Sequence, residues 1–151
     1  MAYKTLPPPL DPPLASFYNV DMAVGPNRAN TETDVMLVQL CLQQLYAKPT
    51  LFRPPPEGYY VKADGKFGPI TCNAIWWYQT ELQRRGASVY PDGVIDRASD
   101  LSTNAPSGWN YSIIWCNFSL QKVIGAERFA HLEDDKICPP HLAVRLAASW
   151  L

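Results

Sequence analysis

The stretch DGKFGPITCNAIWWYQ, residues 64–79, carries the most specific structural signals of the sequence. Asp64-Gly65 is a tight-turn dipeptide, because glycine adopts positive φ freely and aspartate bonds to its own backbone. Pro69 suits the first turn of a helix, and Gly86 is a typical residue just after a helix end. The spacing therefore predicts a helix over residues 70–85, with a buried stripe formed by Thr71, Ala74, Ile75, Tyr78 and Leu82.

A helix over residues 34–46 is predicted upstream of this stretch. Its apolar residues recur at spacings of three and four, and they are Val35, Val38, Leu42 and Leu45. The glutamines at 39, 43 and 44 lie off that stripe. Capping oxygens are expected from Asn30, Thr31 and Thr33.

Downstream, a second turn at Asp92-Gly93 mirrors the first. It is followed by a polar, irregular stretch and then by a predicted third helix over residues 110–124. A fourth, short helix is expected after Pro139-Pro140. We expect any sheet to be limited to short pieces near the two Asp-Gly turns.

Residues 30–97 resemble the peptidoglycan-binding domain of the three-helix type. That family carries V-x-x-L-Q-x-x-L on its first helix, D-G-x-F-G-x-x-T-x-x-A-V-x-x-F-Q at the start of its second, and then another D-G turn. The matching residues are Val35, Val38, Gln39, Leu42, Asp64, Gly65, Phe67, Gly68, Thr71, Ala74, Ile75, Tyr78, Gln79, Asp92 and Gly93. The resemblance implies a mainly α fold with a three-helix core.

The sequence departs from the family after the second turn. There the family continues D-G-x-x-G-x-x-T into its last helix, whereas residues 94–99 contain neither that glycine nor that threonine. The third helix is therefore expected to be displaced to 110–124. We predict near-complete burial of Val38, Leu42, Phe67, Ala74, Ile75 and Tyr78.

Proline makes up 15 of 151 residues and is concentrated near the N-terminus. Residues 1–29 are predicted to be a Pro-rich extended arm laid across the domain surface, since proline runs forbid a helix. Residues 30–125 form the peptidoglycan-binding-like helical domain. Residues 126–151 form a C-terminal tail with a short helix.

The resemblance implies a non-catalytic binding module for murein, recognising either the stem peptide or the glycan, with no cofactor. A peptide carboxylate is expected at the start of the second helix, where backbone amides lack helical acceptors. The predicted ligand-binding residues are Tyr60, Asp64, Lys66, Gly68, Thr71 and Trp77. No catalytic residue and no metal ligand is predicted.

Two other functions stay open. Trp76 and Trp77 lie off the buried stripe, so they either pack under the Pro-rich arm or the tail, or form an exposed platform. A platform, together with the arm, would suit a protein-interaction component: an adaptor, an immunity-type protein or a secretion or phage-tail assembly protein. An enzyme such as a zinc peptidase is the weaker alternative. Its zinc ligands would come from the tail residues His131, Glu133, Asp134, Asp135, Cys138 and His141, the last two of which have a C-x-x-H spacing.

The charge balance argues against a protein that binds nucleic acid or anionic membranes. The net charge is −1, which gives no general attraction to nucleic acid or to anionic membranes.

The N-terminus has no apolar signal-peptide core, so we expect synthesis in the cytoplasm, and a function at the cell envelope would require a non-classical export route. The four cysteines, at 41, 72, 116 and 138, are expected to be reduced thiols.

Overall fold

The computed structural model describes residues 1–56, 60–99 and 102–149. These residues form a mainly helical fold with a small two-stranded sheet. The strands are β1 (Tyr3–Thr5) and β2 (Phe17–Asn19), and the helices are α1 (Glu32–Tyr46), α2 (Pro69–Arg84), α3 (Ser112–Ile124), α4 (Ala126–Ala130) and α5 (Pro140–Ser149). A short 3-10 turn, Leu132–Asp134, joins α4 to α5. Among the described residues, no helix has the length and apolar character needed to cross a membrane.

The predicted helices are confirmed, with boundaries that differ by at most two residues. The end of α2 is set by Gly86, which has φ +97°. The amide of Gly86 donates to the carbonyl of Gln83, and that of Ala87 donates to the carbonyl of Leu82. This pair of hydrogen bonds is a Schellman motif, which satisfies carbonyls that the helix leaves free.

The expected capping of α1 is wrong. Thr31 occupies the N-cap position without a side-chain hydrogen bond. The Thr33 hydroxyl instead accepts the amide of Ala2, and the Asp34 carboxylate accepts the amides of Asp21 and Met22. The polar residues at the start of α1 therefore fix the N-terminal segment onto the helix.

Helix α1 lies at the centre of the fold, packed against α2, α3 and α5. Every residue from Thr33 to Leu42 is buried, so the helix is covered on all sides and not only on the predicted stripe. Gln39, which was placed off the stripe, is 1% exposed. The periodicity identified one packed face, but three neighbouring helices cover the others.

The N-terminal segment is extended, as predicted, but it belongs to the core. β1 and β2 pair antiparallel, with Tyr3 opposite Asn19. The only strands of the described chain therefore lie here and not beside the Asp-Gly turns, where a single bridge joins Val24 to Ile95. Six apolar side chains of the segment are buried in the common hydrophobic core, and they are Ala2, Leu14, Phe17, Tyr18, Val20 and Val24.

The C-terminal helices close over this segment. The Tyr18 hydroxyl donates to the carbonyl of Phe129 at 2.6 Å and accepts the amide of Leu132 at 3.2 Å. The Tyr18 and Phe129 rings meet edge to face at 5.1 Å. Lys4 and Glu133 form a largely buried ion pair at 2.7 Å. The two ends of the chain are therefore packed as one unit against α1 and α3.

The burial predictions hold for five of six residues. Val38, Leu42, Ala74, Ile75 and Tyr78 are each at most 1% exposed. Phe67 is only half-buried and packs at the edge of the core, because it lies in the turn that precedes α2. All four cysteines are free thiols, and burial raises the pKa of Cys116 to about 12.

Candidate ligand pocket at the first Asp-Gly turn

The first Asp-Gly turn is held by the side chain of Gln39 on α1. Gln39 Oε1 accepts the amide of Gly65 at 2.8 Å, while Nε2 lies 2.9 Å from both the Lys66 carbonyl and the Thr71 hydroxyl. Gly65 has φ +77°, and a Cβ added there would lie 2.5 Å from Cγ of Glu32. Position 65 therefore requires glycine for two reasons: the positive φ and the close approach of Glu32 to the backbone.

The second Asp-Gly turn repeats this arrangement one helix later. Gln79 Oε1 accepts the amide of Gly93 at 2.7 Å, and Nε2 donates to the Val94 carbonyl at 2.8 Å and to the Ser112 hydroxyl at 3.1 Å. At the first turn the hydroxyl that bonds the glutamine comes from Thr71. At the second turn no threonine follows in sequence, and Ser112, the first residue of α3, supplies the hydroxyl instead. Sequence reasoning missed this residue because the intervening loop separates it from Gly93 by 19 positions.

A shallow pocket of about 260 Å³ opens beside the first turn. Five of the six predicted ligand-binding residues line it, namely Tyr60, Asp64, Lys66, Gly68 and Thr71. The remaining lining residues are Gln39, Lys62, Pro69 and Ile70. Trp77, the sixth predicted residue, is not among them.

The pocket has the features of an anion site. Lys62 and Lys66 are exposed, and within the described ranges their side chains have no hydrogen-bond or ion-pair partner. Gly68 is the N-cap of α2 and offers no side-chain cap, so the amides of Ile70 and Thr71 lack helical acceptors. Asp64, the one carboxylate among the described lining residues, already accepts hydrogen bonds from Gln39 and from the Lys66 amide.

Gly68 lies at the start of α2 with open space around its Cα. A Cβ added there would meet no atom within 4 Å, and its φ of −157° is open to any residue. Neither close packing nor backbone conformation therefore requires glycine at this position. The absence of a side chain at Gly68 instead leaves the start of α2 open to the pocket.

The equivalent pocket at the second turn has the opposite charge. It measures about 320 Å³ and is lined by Asp92, Asp96 and the exposed rings of Tyr90 and Trp109, with no lysine or arginine among its described lining residues. Burial and the neighbouring Asp92 raise the pKa of Asp96. The two turns therefore share a framework but would not attract the same ligand group.

Trp77 lies away from the pocket. Its indole Nε1 donates to the carbonyl of Arg53 at 2.8 Å, and the Arg53 guanidinium lies 5.2 Å from its ring. Trp77 is half-buried, and it packs against the loop that contains Arg53 and not under the N-terminal segment. Trp76 is 48% exposed, so of the two alternatives for this residue the exposed one holds and packing under the arm or the tail does not.

The arginine beside Trp77 belongs to a charge cluster that should make stability depend on pH. Hydrogen bonds from Arg84 and Arg53 hold the pKa of Glu81 below its ordinary value. A carboxyl group whose pKa is lower in the folded than in the unfolded state stabilises the fold at pH values above its unfolded-state pKa. This contribution is lost as the pH falls through its folded-state pKa. Glu81→Gln should therefore lower the free energy of unfolding at pH 7.

Urea titrations between pH 7 and pH 3 check the Glu81 prediction. The difference in unfolding free energy between wild type and Glu81→Gln should shrink steadily as the pH falls below about 5, because the glutamate itself becomes neutral in that range. A difference that stays constant over this range would rule out the assigned charge effect.

Three of the residues named for the zinc alternative lie close together in the tail. Potential ligand atoms of His131, Glu133 and Asp134 lie within 4.8 Å of one another. Lys4 Nζ already contacts Glu133, and His141 instead contacts Glu32. Among the described residues, neither Cys138 nor His141 belongs to this cluster. These residues give no support to a Cys-His zinc site.

Comparisons of the chain with known protein families, with curated proteins and with solved structures find no match.

Proposed function

We propose that the chain is a non-catalytic binding module that holds a carboxylate group of a peptidoglycan stem peptide in the pocket beside Gly65. The observation that carries the proposal is the meeting of two lysines, Lys62 and Lys66, whose side chains have no partner among the described residues, with the uncapped start of α2. Lysine charge and free helix amides both favour an anion. The motif resemblance supplies the class of ligand.

The pocket suggests how such a group would bind. The carboxylate accepts hydrogen bonds from the amides of Ile70 and Thr71, and Lys66 adds the opposite charge. Tyr60, which is 68% exposed, offers a ring on which the adjoining peptide or sugar can pack. Asp64 is engaged by the turn, which supports binding and not acid–base catalysis.

Gly68→Asp tests the proposal while sparing the fold. An N-cap aspartate accepts the same amides as the ligand carboxylate, so stability should hold or rise by a few tenths of a kcal/mol. Binding to purified murein sacculi should fall at least tenfold, because the amides are occupied and the new charge repels the ligand. Gly68→Ser is the matched uncharged control, and its loss of binding should be smaller.

Co-sedimentation with sacculi at low salt, together with thermal melting, gives both readouts. Lys66→Glu should weaken binding by about 1 kcal/mol or more, whereas Lys48→Glu at the end of α1 should have no effect. No retention of the wild-type chain, or equal retention of all variants, would overturn the proposal.

A second candidate function is favoured by the exposure of Trp76. A large aromatic side chain that is 48% exposed is typical of a protein-binding surface. On this hypothesis the chain is an adaptor, an immunity-type protein or a component of a secretion or phage-tail assembly. A stable complex with another protein on size exclusion, lost in Trp76→Ser and formed without murein affinity, would select it over the first proposal.

Murein lies outside the cytoplasm, so the first proposal also requires export. We propose that the chain acts at the cell envelope. Fractionation of the native host should then find the chain in the envelope fraction, and its confinement to the cytosolic fraction would contradict this part of the proposal.

A further inference from the structure

A second cleft, of about 480 Å³, lies where the ends of α1 and α2 meet α3. Its floor includes Leu45 and Phe52, which are buried. Trp115 and Phe118 of α3 line it with half-buried rings whose centroids are 6.2 Å apart. Their spacing places both rings on the same face of α3, opposite the side chains that enter the core. The cleft is therefore an aromatic surface that the described chain leaves uncovered.

The rim of this cleft is positively charged. Arg85 stacks on Phe52, with its guanidinium 4.6 Å from the ring, and Lys122 follows Phe118 by one helical turn. The described lining contains no aspartate or glutamate. Glu81, one turn before Arg85, is already paired with Arg53 and Arg84. The positive charge at the cleft is therefore not neutralised by this nearby carboxylate.

We propose that this cleft docks a short segment of a partner protein that carries one large apolar side chain next to an aspartate or glutamate. The aromatic walls require an apolar group to fill them, and the two rim cations require an acidic neighbour. The volume falls in the range of about 300–1,000 Å³ that is usual for ligand sites. Tryptophan and arginine are also enriched among residues that dominate protein–protein binding.

Selection from a phage-displayed library of random heptapeptides on the full-length chain tests the composition of the occupant. The expected outcome is enrichment of peptides with an aromatic or leucine side chain within two positions of an acidic residue. No enrichment, or enrichment of peptides that are uncharged or basic, would overturn the proposal.

Variants then test the place of binding, measured with the selected peptide by isothermal titration. Lys122→Glu should weaken binding at least fivefold, because it replaces attraction by repulsion at an exposed position. Phe118→Ala should weaken binding at least tenfold, and Lys136→Glu, an exposed lysine outside the cleft, should leave binding unchanged. If Phe118→Ala fails to fold, Lys122→Glu decides alone. Unchanged affinity in Lys122→Glu, or an equal loss in Lys136→Glu, would contradict the assignment.

Discussion

Replacing Tyr18 by alanine should lower the free energy of unfolding by about 4 kcal/mol, the range seen when a large buried aromatic is truncated. Tyr18 is 1% exposed, and its ring packs against Phe129. Its hydroxyl bridges the Phe129 carbonyl and the Leu132 amide. The substitution therefore removes core volume and also leaves two backbone groups without their partner.

Urea denaturation followed by circular dichroism measures the effect. Tyr18→Phe is the matched control, because it keeps the ring and removes only the hydroxyl, and it should cost about 1–3 kcal/mol. If residues 1–29 were a detachable surface arm, Tyr18→Ala would change stability by less than about 1 kcal/mol, the scale of ordinary surface substitutions. That outcome would contradict the packing described for the two chain ends.

Replacing Gln39 by leucine should cost about 3 kcal/mol, because it leaves the Gly65 amide and the Lys66 carbonyl without their side-chain partner. Gln39 is 1% exposed and makes all four of its hydrogen bonds to the first turn and to Thr71. Without these hydrogen bonds the first Asp-Gly turn, which shapes the ligand pocket, should become more mobile. Binding to sacculi should therefore fall as well.

Gln44→Leu on the same helix is the matched control for Gln39→Leu. Gln44 is half-buried and has no side-chain hydrogen bond within the part of the chain that the structure describes, so the change should cost less than about 0.5 kcal/mol. Gln79→Leu should resemble Gln39→Leu in stability, because Gln79 holds the second turn in the same way. Equal effects of Gln39→Leu and Gln44→Leu would disprove the assigned function of Gln39.

The helices were predictable because their signals are local. The stripe of α2 and its stop at Gly86 follow from residues within a few turns of one another. The burial of every residue from Thr33 to Leu42 in α1 was not predictable, since polar side chains of this stretch find partners far along the chain. Thr33 meets Ala2 and Gln39 meets Gly65, and no periodicity encodes such pairs. Proline content likewise indicated an extended N-terminal segment but not the pairing of β1 with β2.

The site could be predicted to a similar degree and for the same reason. Tyr60, Asp64, Lys66, Gly68 and Thr71 lie within twelve consecutive positions of one turn and helix start, so proximity in sequence brings them together. Trp77 was misplaced because its direction depends on Arg53 in a separate loop. Lys62 was not predicted as a ligand-binding residue because it matches no position of the motif. Only the structure shows that it lines the pocket.

Titration of a soluble murein disaccharide–tetrapeptide into the 15N-labelled chain, followed by amide chemical shifts, tests the central claim most directly. We predict that the largest changes occur at the amides of Ile70 and Thr71, and that amidation of the ligand's carboxyl groups abolishes them. No change at these amides, or an equal response to the amidated ligand, would contradict the assignment of the first Asp-Gly turn as a carboxylate-binding site.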